Sequence, residues 1–452
     1  MSVLICWLVA GAVYFLVLRR RVVSADRALN QSKTRTSVSP GYAIDEKLWL
    51  SAIALIAAVT LLIAILSPVN GADANSYHMP RIMRWIQDGS LAYYPSHVTR
   101  QLWIAPGQEY FLANLILLTG TDGIANLVEW VTYLACAVVV SLIARELGAS
   151  RRGQIFAAFF AATMPMAIAE ASSAEVDGFA AFWLVCAVAL MLRVRRTGAK
   201  DTSIATAIAL GAACGLASVT KATNGLYLIP FALWTIAGVA RKNRVRLVAL
   251  GLNRIGAAAA ANAGPMSRNI EFYGRPLGPK RGGHTINGRF GPKVLASNVV
   301  RNASLHFTSY SPQLNRLHYR VMAKFHWVIG AGIDDWRTTY VRKFSVLPKR
   351  EDEGVAGEPV HIVLLAVIFV ALFAKRRKDP ALAVLACALV GFLIYCDYLK
   401  WQPWNARMHL PLLVVSAGAA AVIVERTSRR TVMWISVVLF VTALPAMFRE
   451  SL

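Results

Sequence analysis

Residues 67–110 read SPVNGADANSYHMPRIMRWIQDGSLAYYPSHVTRQLWIAPGQEY and stand between two apolar stretches. Before them runs LWLSAIALIAAVTLLIAIL (residues 48–66), long and uncharged enough to cross a membrane as a helix. The first ionisable residue after it is Asp73, and Tyr77, His78, Arg81 and Arg84 follow at once. Charges at the exit of a membrane helix are costly unless paired or wet, so polar chemistry is expected there. Pro80 suits the first turn of a helix, where its missing N–H costs little. From there Ile82, Met83 and Ile86 share one face, while Arg81, Arg84 and Asp88 lie elsewhere on the wheel. That pattern predicts a short amphipathic helix lying on the membrane surface. A solvated loop with a surface helix would use the same residues, and the rest of the chain has to decide between them.

Outward from this stretch the chain is membranous. Of its 452 residues 56% are hydrophobic, and no soluble domain carries so many long apolar runs. Twelve spans are expected, at 2–18, 48–68, 124–144, 153–169, 178–194, 203–219, 226–240, 246–265, 360–374, 380–398, 408–424 and 431–447. Positive charge sets their direction. With the N-terminus outside, the inner loops are RRRVVSADRALNQSKTR, RELGASRR, RVRRTGAK, RKNRVR, KRRK and ERTSRR, and all six are rich in Lys and Arg. The net charge of +24 is therefore largely topogenic, and nucleic acid is not a partner. The six cysteines all fall in apolar segments without metal spacing, so neither a disulfide framework nor a zinc site is expected. The organisation expected is an anchor helix and linker over 1–47, then a membrane core over 48–265 whose first outer loop is 69–123. An outer insert follows over 266–359, and C-terminal membrane helices fill 360–452. PGQEYFLANLILLTG (106–120) is too short to span and reads as a helix half-sunk in the outer leaflet.

On this topology one face of the membrane collects Asp73, His78, Arg81, Glu109, Asp177, Lys221, Arg268, Asn269, Lys400, Arg407 and His409. The insert adds a run of cations from Arg268 to Arg350, with few acids before Glu351. Two readings of that basic surface stay open: attraction to anionic lipid head groups, or a cradle for a phosphorylated, membrane-borne substrate. Lys221 alone reads as a snorkelling lysine, and Arg407 between Trp401, Trp404 and Leu410 as an anchor in an aromatic belt.

The first outer loop, with an acid just past its helix, a surface helix and a proline-led half-buried helix ending in LLTG, resembles the GT-C-type membrane glycosyltransferases. That superfamily includes protein mannosyltransferases and lipid A aminoarabinose transferases. DANSYHMPRIMRWIQDGS, SVTKATNG, RNIEFYGRPLGP, GIDDWRTTY, EDEGVAGEPVH and KWQPWNARMHLPL are similar to motifs of a bacterial, family-39-like branch, in order, over about residues 48 to 424. The resemblance implies an all-α polytopic fold of about twelve membrane helices. It implies transfer of one monosaccharide from a polyprenyl-phosphate donor to a lipid or glycan acceptor, with inversion, on the outer face of the bacterial cytoplasmic membrane. It puts the general base on Asp73 and the donor-phosphate ligands on Arg81, Lys221, Arg268 and Arg407. His78, Glu109, Asn269 and His409 take supporting places.

The chain also departs from the family pattern. Ala74 follows Asp73 where some members carry Glu, and Trp103-Ile104-Ala105 precedes Pro106 without an acid. A divalent metal ion is therefore left unassigned, with Glu351 or Asp352 as other ligands for it. Two alternatives stand beside this function. An O-antigen-ligase-like or polymerase-like transferase would need no acid in the first loop. A transporter or flippase of a lipid-linked anion would carry charges near the bilayer midplane and repeated halves, and neither is evident.

Overall fold

The computed structural model describes residues 41–240, 244–279, 285–340, 343–350, 354–374 and 379–448. The expected span at 2–18 lies outside them. Seven described helices are long and apolar enough to cross a membrane: α1 (Ile44–Leu66), α4 (Ala125–Glu146), α7 (Asp177–Asp201, counted to Gly198), α9 (Ala222–Ala240, counted to Val239), α14 (Pro380–Tyr398), α15 (Asn405–Val424) and α16 (Arg429–Met447). Between α1 and α4 lie α2 (Met79–Asp88) and α3 (Gly107–Thr119). α8 (Ile204–Thr220) and α13 (Pro359–Ala374) are apolar but shorter.

Two expected spans look different in three dimensions. The one at 153–169 is two helices, α5 (Arg151–Ala162) and α6 (Pro165–Glu170). The break falls before Pro165, which has no N–H to continue the ladder, and the Met166 N–H is given instead to Glu358 Oε1 at 2.7 Å. The one at 246–265 is part of a 30-residue helix, α10 (Arg244–Tyr273), so Arg268 and Asn269 stand on a helix.

α15 is the hub of the bundle. It runs through small residues from Ser416 to Ala421, all buried, and packs against α4, α5, α7 and α14. A Cβ on Gly418 would come within 2.6 Å of Ile143 Cγ2, so glycine sets how closely α15 and α4 approach. α1 is tied to α16 by Trp49 Nε1 donating to Ser436 Oγ at 2.8 Å.

Charges sort to the two ends of the bundle. At one end Arg152 pairs with Asp45 (2.8 Å), Arg151 with Glu46 (2.9 Å), and Arg426 with Asp379 (2.7 Å). Ser150, Ser203, Asp379 and Ser428 cap helix starts there, each side chain accepting a first-turn N–H. These are the loops that the Lys/Arg pattern places together. The first loop and the 397–409 segment gather at the other end.

The insert carries α11 (Pro292–Ser304) and α12 (Pro312–Ile329). Isolated bridges, Ile286 to Leu399 and Thr339 to Trp401, pin it to the 397–409 segment. Arg301 is one of its cations yet is fully buried, donating to the Ile333 carbonyl and Thr339 Oγ1 (both 2.7 Å). Burial pushes its pKa down to about 10. It serves the insert's own packing.

Candidate active site

α1 ends at Leu66, and the chain re-enters helix as one π-helical turn, Ala74–His78. Asp73 stands at the start of that turn. Its N–H and that of Ala74 both donate to Glu175 Oε1, at 3.1 and 3.2 Å. Unpaired N–H groups at a helix start attract a carboxylate. A Cβ on Gly71 would meet the same oxygen at 2.5 Å, so this approach needs glycine. Glu175 sits in the turn before α7 and Asp177 is the first residue of α7, and both are buried.

Arg407, in the first turn of α15, is the cation these acids share. Its Nη2 pairs with Asp73 Oδ2, its Nη1 lies 3.3 Å from Glu175 Oε2, and its Nε lies 3.8 Å from Asp177 Oδ2. Lys221 Nζ pairs with the other Asp177 oxygen. Arg100 Nη1 lies 3.1 Å from Asp73 Oδ1 while its guanidinium covers the Tyr77 ring, and the Tyr77 hydroxyl donates to Asp73 Oδ2 at 3.3 Å. Three carboxylates thus face three cations. Burial alone would raise the Asp73 pKa, but Arg407 and then Arg100 outweigh it and hold the carboxyl at about 2. Glu175 is shifted the other way, because its burial outweighs Arg407 and the Asp73 charge adds to the rise.

Asp73, Glu175, Arg100 and Arg407 open onto a cavity of about 800 Å³. The insert closes its far side with Tyr340, Leu347, Pro348 and Arg350. That extended segment is held by Lys349 N donating to Ser309 O (3.0 Å) and Phe344 N to Asp334 Oδ1 (2.6 Å). Gln402 and Trp404 complete the wall beside Arg407. The space is large enough for a sugar phosphate and a second reactant.

The residues singled out in the sequence divide accordingly. Asp73 and Arg407 meet in the cavity wall. Lys221 lies behind it, joined to Asp177. His78, Arg81 and Glu109 form a buried clasp inside the first loop. His78 Nδ1 is 2.7 Å and Arg81 Nη1 3.2 Å from Glu109 Oε1, and Arg81 also donates to the carbonyls of Ile104 and Arg100, both at 2.9 Å. Burial works to raise the Glu109 pKa, and Arg81 and His78 bring it below the usual range. The helical wheel set Arg81 apart from the apolar face, yet α2 buries Met79, Arg81, Ile82 and Trp85 and exposes Met83. α2 therefore rests against protein, and its guanidinium is neutralised where it lies. Arg268 and Asn269 join α10 to the first loop, Arg268 through the Tyr110 hydroxyl and Asn269 by accepting from Tyr93 at 2.5 Å. His409 is buried against His306, with nitrogens 2.9 Å apart. Three charged wall residues are not among the site residues singled out in the sequence: Glu175, Arg100 and Arg350. The Glu175-Val176-Asp177 spacing just before an apolar helix was the one available signal.

A divalent metal does not fit the donor set as it is arranged. Asp73, Glu175 and Asp177 turn their oxygens to the Arg407 guanidinium, and among the described residues no three His, Cys, Asp or Glu side chains make a metal cluster. Glu351 and Asp352 lie outside the described residues.

Residues 124–254 match the family described as dolichyl-phosphate-mannose-protein mannosyltransferase. That stretch contains Glu175, Asp177 and Lys221 but neither Asp73 nor Arg407. Among solved structures the chain is similar to ArnT from Cupriavidus metallidurans bound to undecaprenyl phosphate. The TM-score is 0.56 and the identity 18%, covering 85% of this chain and 61% of that one. It is similar to the Archaeoglobus fulgidus oligosaccharyltransferase in the apo form, with TM-score 0.53 and 16% identity over 89% of this chain and 56% of that one. The archaeal AglB in complex with an inhibitory peptide and a dolichol-phosphate gives TM-score 0.53 and 14% identity, again over 89% and 56%. No curated protein sequence matches the chain. The chain spans about three fifths of the ArnT chain. At these identities the likeness concerns the fold, and the fold is GT-C.

Proposed function

We propose that this polytopic membrane protein of the GT-C fold is a glycosyltransferase. It moves one monosaccharide from a polyprenyl-phosphate donor to a lipid or glycan acceptor of the bacterial cell envelope, on the outer face of the cytoplasmic membrane. The observation that carries this reading is the meeting of Asp73 and Arg407 in the wall of one cavity, with Arg100 and Arg350 beside them. The Asp73 carboxylate takes the proton of the acceptor hydroxyl as that oxygen attacks the anomeric carbon. The bond from that carbon to the donor phosphate oxygen breaks on the opposite side, and the configuration inverts. The leaving phosphate needs cations rather than a strong acid, and Arg407, Arg100 and Arg350 supply them.

A carboxyl held at about 2 is a weak base while both its oxygens face guanidinium groups. A phosphate entering the cavity competes for the same arginines. As Arg407 and Arg100 turn to it, Asp73 loses its counter-charges and regains basicity. The acid in the cavity wall favours this reading over a ligase-like transferase, which needs none there. Asp73→Asn keeps shape but cannot take the proton, and loss of a general base typically costs about 100- to 10,000-fold. Transfer from a defined polyprenyl-phosphate sugar by purified, folded variant should fall by that factor. Turnover near the wild-type rate would remove Asp73 from the mechanism.

A further inference from the structure

The helix with an unpartnered apolar face is α12, in the insert. Toward the protein it buries only Asn315, Met322 and His326. Leu314, Leu317, Val321 and Val328 recur at intervals of three, four and seven residues and so share a face. All four are more than half exposed. Alongside run Arg316, Arg320 and Lys324, four residues apart, and α12 contains no acid. Among the described residues no carboxylate forms an ion pair with any of the three. Trp327, on the cationic side, is 81% exposed.

Packing joins α12 to the membrane helices. His326 Nε2 lies 2.9 Å from Ser297 Oγ, joining α12 to α11. Asn298, next on α11, donates to the Cys396 carbonyl at 2.8 Å, in the last turn of the membrane-spanning α14. α12 is thereby tied, through α11, to the end of a membrane-spanning helix, the end at which acyl chains give way to head groups. An apolar stripe, a flanking row of cations and a tryptophan are what that boundary selects.

We propose that α12 docks on the membrane leaflet on the side of the cavity. Leu314, Leu317, Val321 and Val328 enter the boundary of the acyl chains, and Arg316, Arg320 and Lys324 bind anionic lipid head groups. A second protein would bury the apolar stripe equally well, but the row of cations without acidic partners favours an anionic lipid surface. Tyr319 of α12 stacks on Phe344, ring centroids 6.1 Å apart, where the segment that roofs the cavity begins. Lipid contact and cavity roof are thus parts of one body.

The test uses the full-length protein in nanodiscs of phosphatidylcholine with or without phosphatidylglycerol. Val321→Cys and, separately, Leu317→Cys carry a bimane label, with labelled wild-type protein as the blank for native cysteines. Both exposed positions tolerate cysteine, so neither variant depends on refolding a core. The label should be quenched by nitroxide-bearing lipid and shielded from aqueous iodide, more strongly with phosphatidylglycerol present. Each cation near an anionic leaflet contributes about fivefold, so replacing Arg316, Arg320 and Lys324 together by Gln should lower the docked-to-undocked ratio on the order of 100-fold. Quenching by iodide but not by lipid would overturn the proposal. So would quenching indifferent to phosphatidylglycerol and to the Gln replacements. A label protected from both quenchers in a particle holding two chains by light scattering would assign the face to a second copy, and the lipid assignment would be wrong.

Discussion

Arg407→Gln removes the cation that three carboxylates share while keeping much of the side-chain volume. In the intact protein Nη2, Nη1 and Nε face Asp73, Glu175 and Asp177 in turn. Glu175 and Asp177 are each 1% exposed at the side chain and Arg407 is 12%, so solvent does little to screen the loss. Removing one partner of a buried ion pair typically costs about 3–5 kcal/mol, because the other is left charged and unpaired. Lys221 and Arg100 still face Asp177 and Asp73, and Glu175 is the acid left stranded. Glu175→Gln in the same chain should therefore recover part of the loss, with a coupling of about 0.5–3 kcal/mol between the two sites. Arg407→Lys should fall in between, since one ammonium cannot reach three acids in three directions. The assay is thermal unfolding in detergent, followed by tryptophan fluorescence, for wild type, both single variants and the double variant. The same preparations then give the Michaelis constant for a polyprenyl-phosphate sugar, which should rise in both Arg407 variants. An Arg407→Gln protein that melts with wild type, or a double variant no more stable than Arg407→Gln, would refute the shared cation.

Arg100→Gln takes one counter-charge from Asp73, whose pKa should move up from about 2 toward the ordinary 3.8. A depressed carboxyl contributes its stabilisation above the ordinary value and loses it as pH falls through the depressed one. The variant should accordingly lose transfer activity at a higher pH than wild type when kcat/KM is followed downward from neutrality. Glu109→Gln strands the fully buried Arg81, so it should destabilise by about 3–5 kcal/mol while leaving the donor Michaelis constant of the folded protein unchanged. A cysteine at the exposed Trp336 should react with a membrane-impermeant thiol reagent in cells with a permeable outer envelope, and one at Thr427 should not. The reverse pattern would turn the cavity toward the cytoplasm.

Much of the fold was legible because the bilayer enforces it. Apolar length finds helices and Lys/Arg loops find one face, and the pairs Asp45–Arg152 and Asp379–Arg426 gather those loops at one end of the bundle. The break before Pro165 was hidden by an unbroken apolar stretch, and what holds it is Glu358, remote in sequence. Asp73 was legible as the first charge after α1, and Arg407 as a charge at a helix mouth. Which charges pair was not. Arg81, Arg301 and Arg100 are all arginines in outer segments, but the first is spent on Glu109 and buried carbonyls, the second on buried carbonyls and hydroxyls, and the third faces the cavity. Glu175 lies about a hundred positions from the N–H groups that hold it, a distance over which spacing carries no signal.

On the proposed function, the cavity beside Asp73 and Arg407 adds a sugar to the cell envelope. The most direct measurement is mass spectrometry of envelope glycans from cells carrying the wild-type protein, the Asp73→Asn variant at equal abundance, or none. The expected result is one species lighter by a single monosaccharide, the same in the variant as in cells lacking the protein, and absent with wild type. Identical glycans in all three would contradict it, and so would a variant that restores the full-mass species.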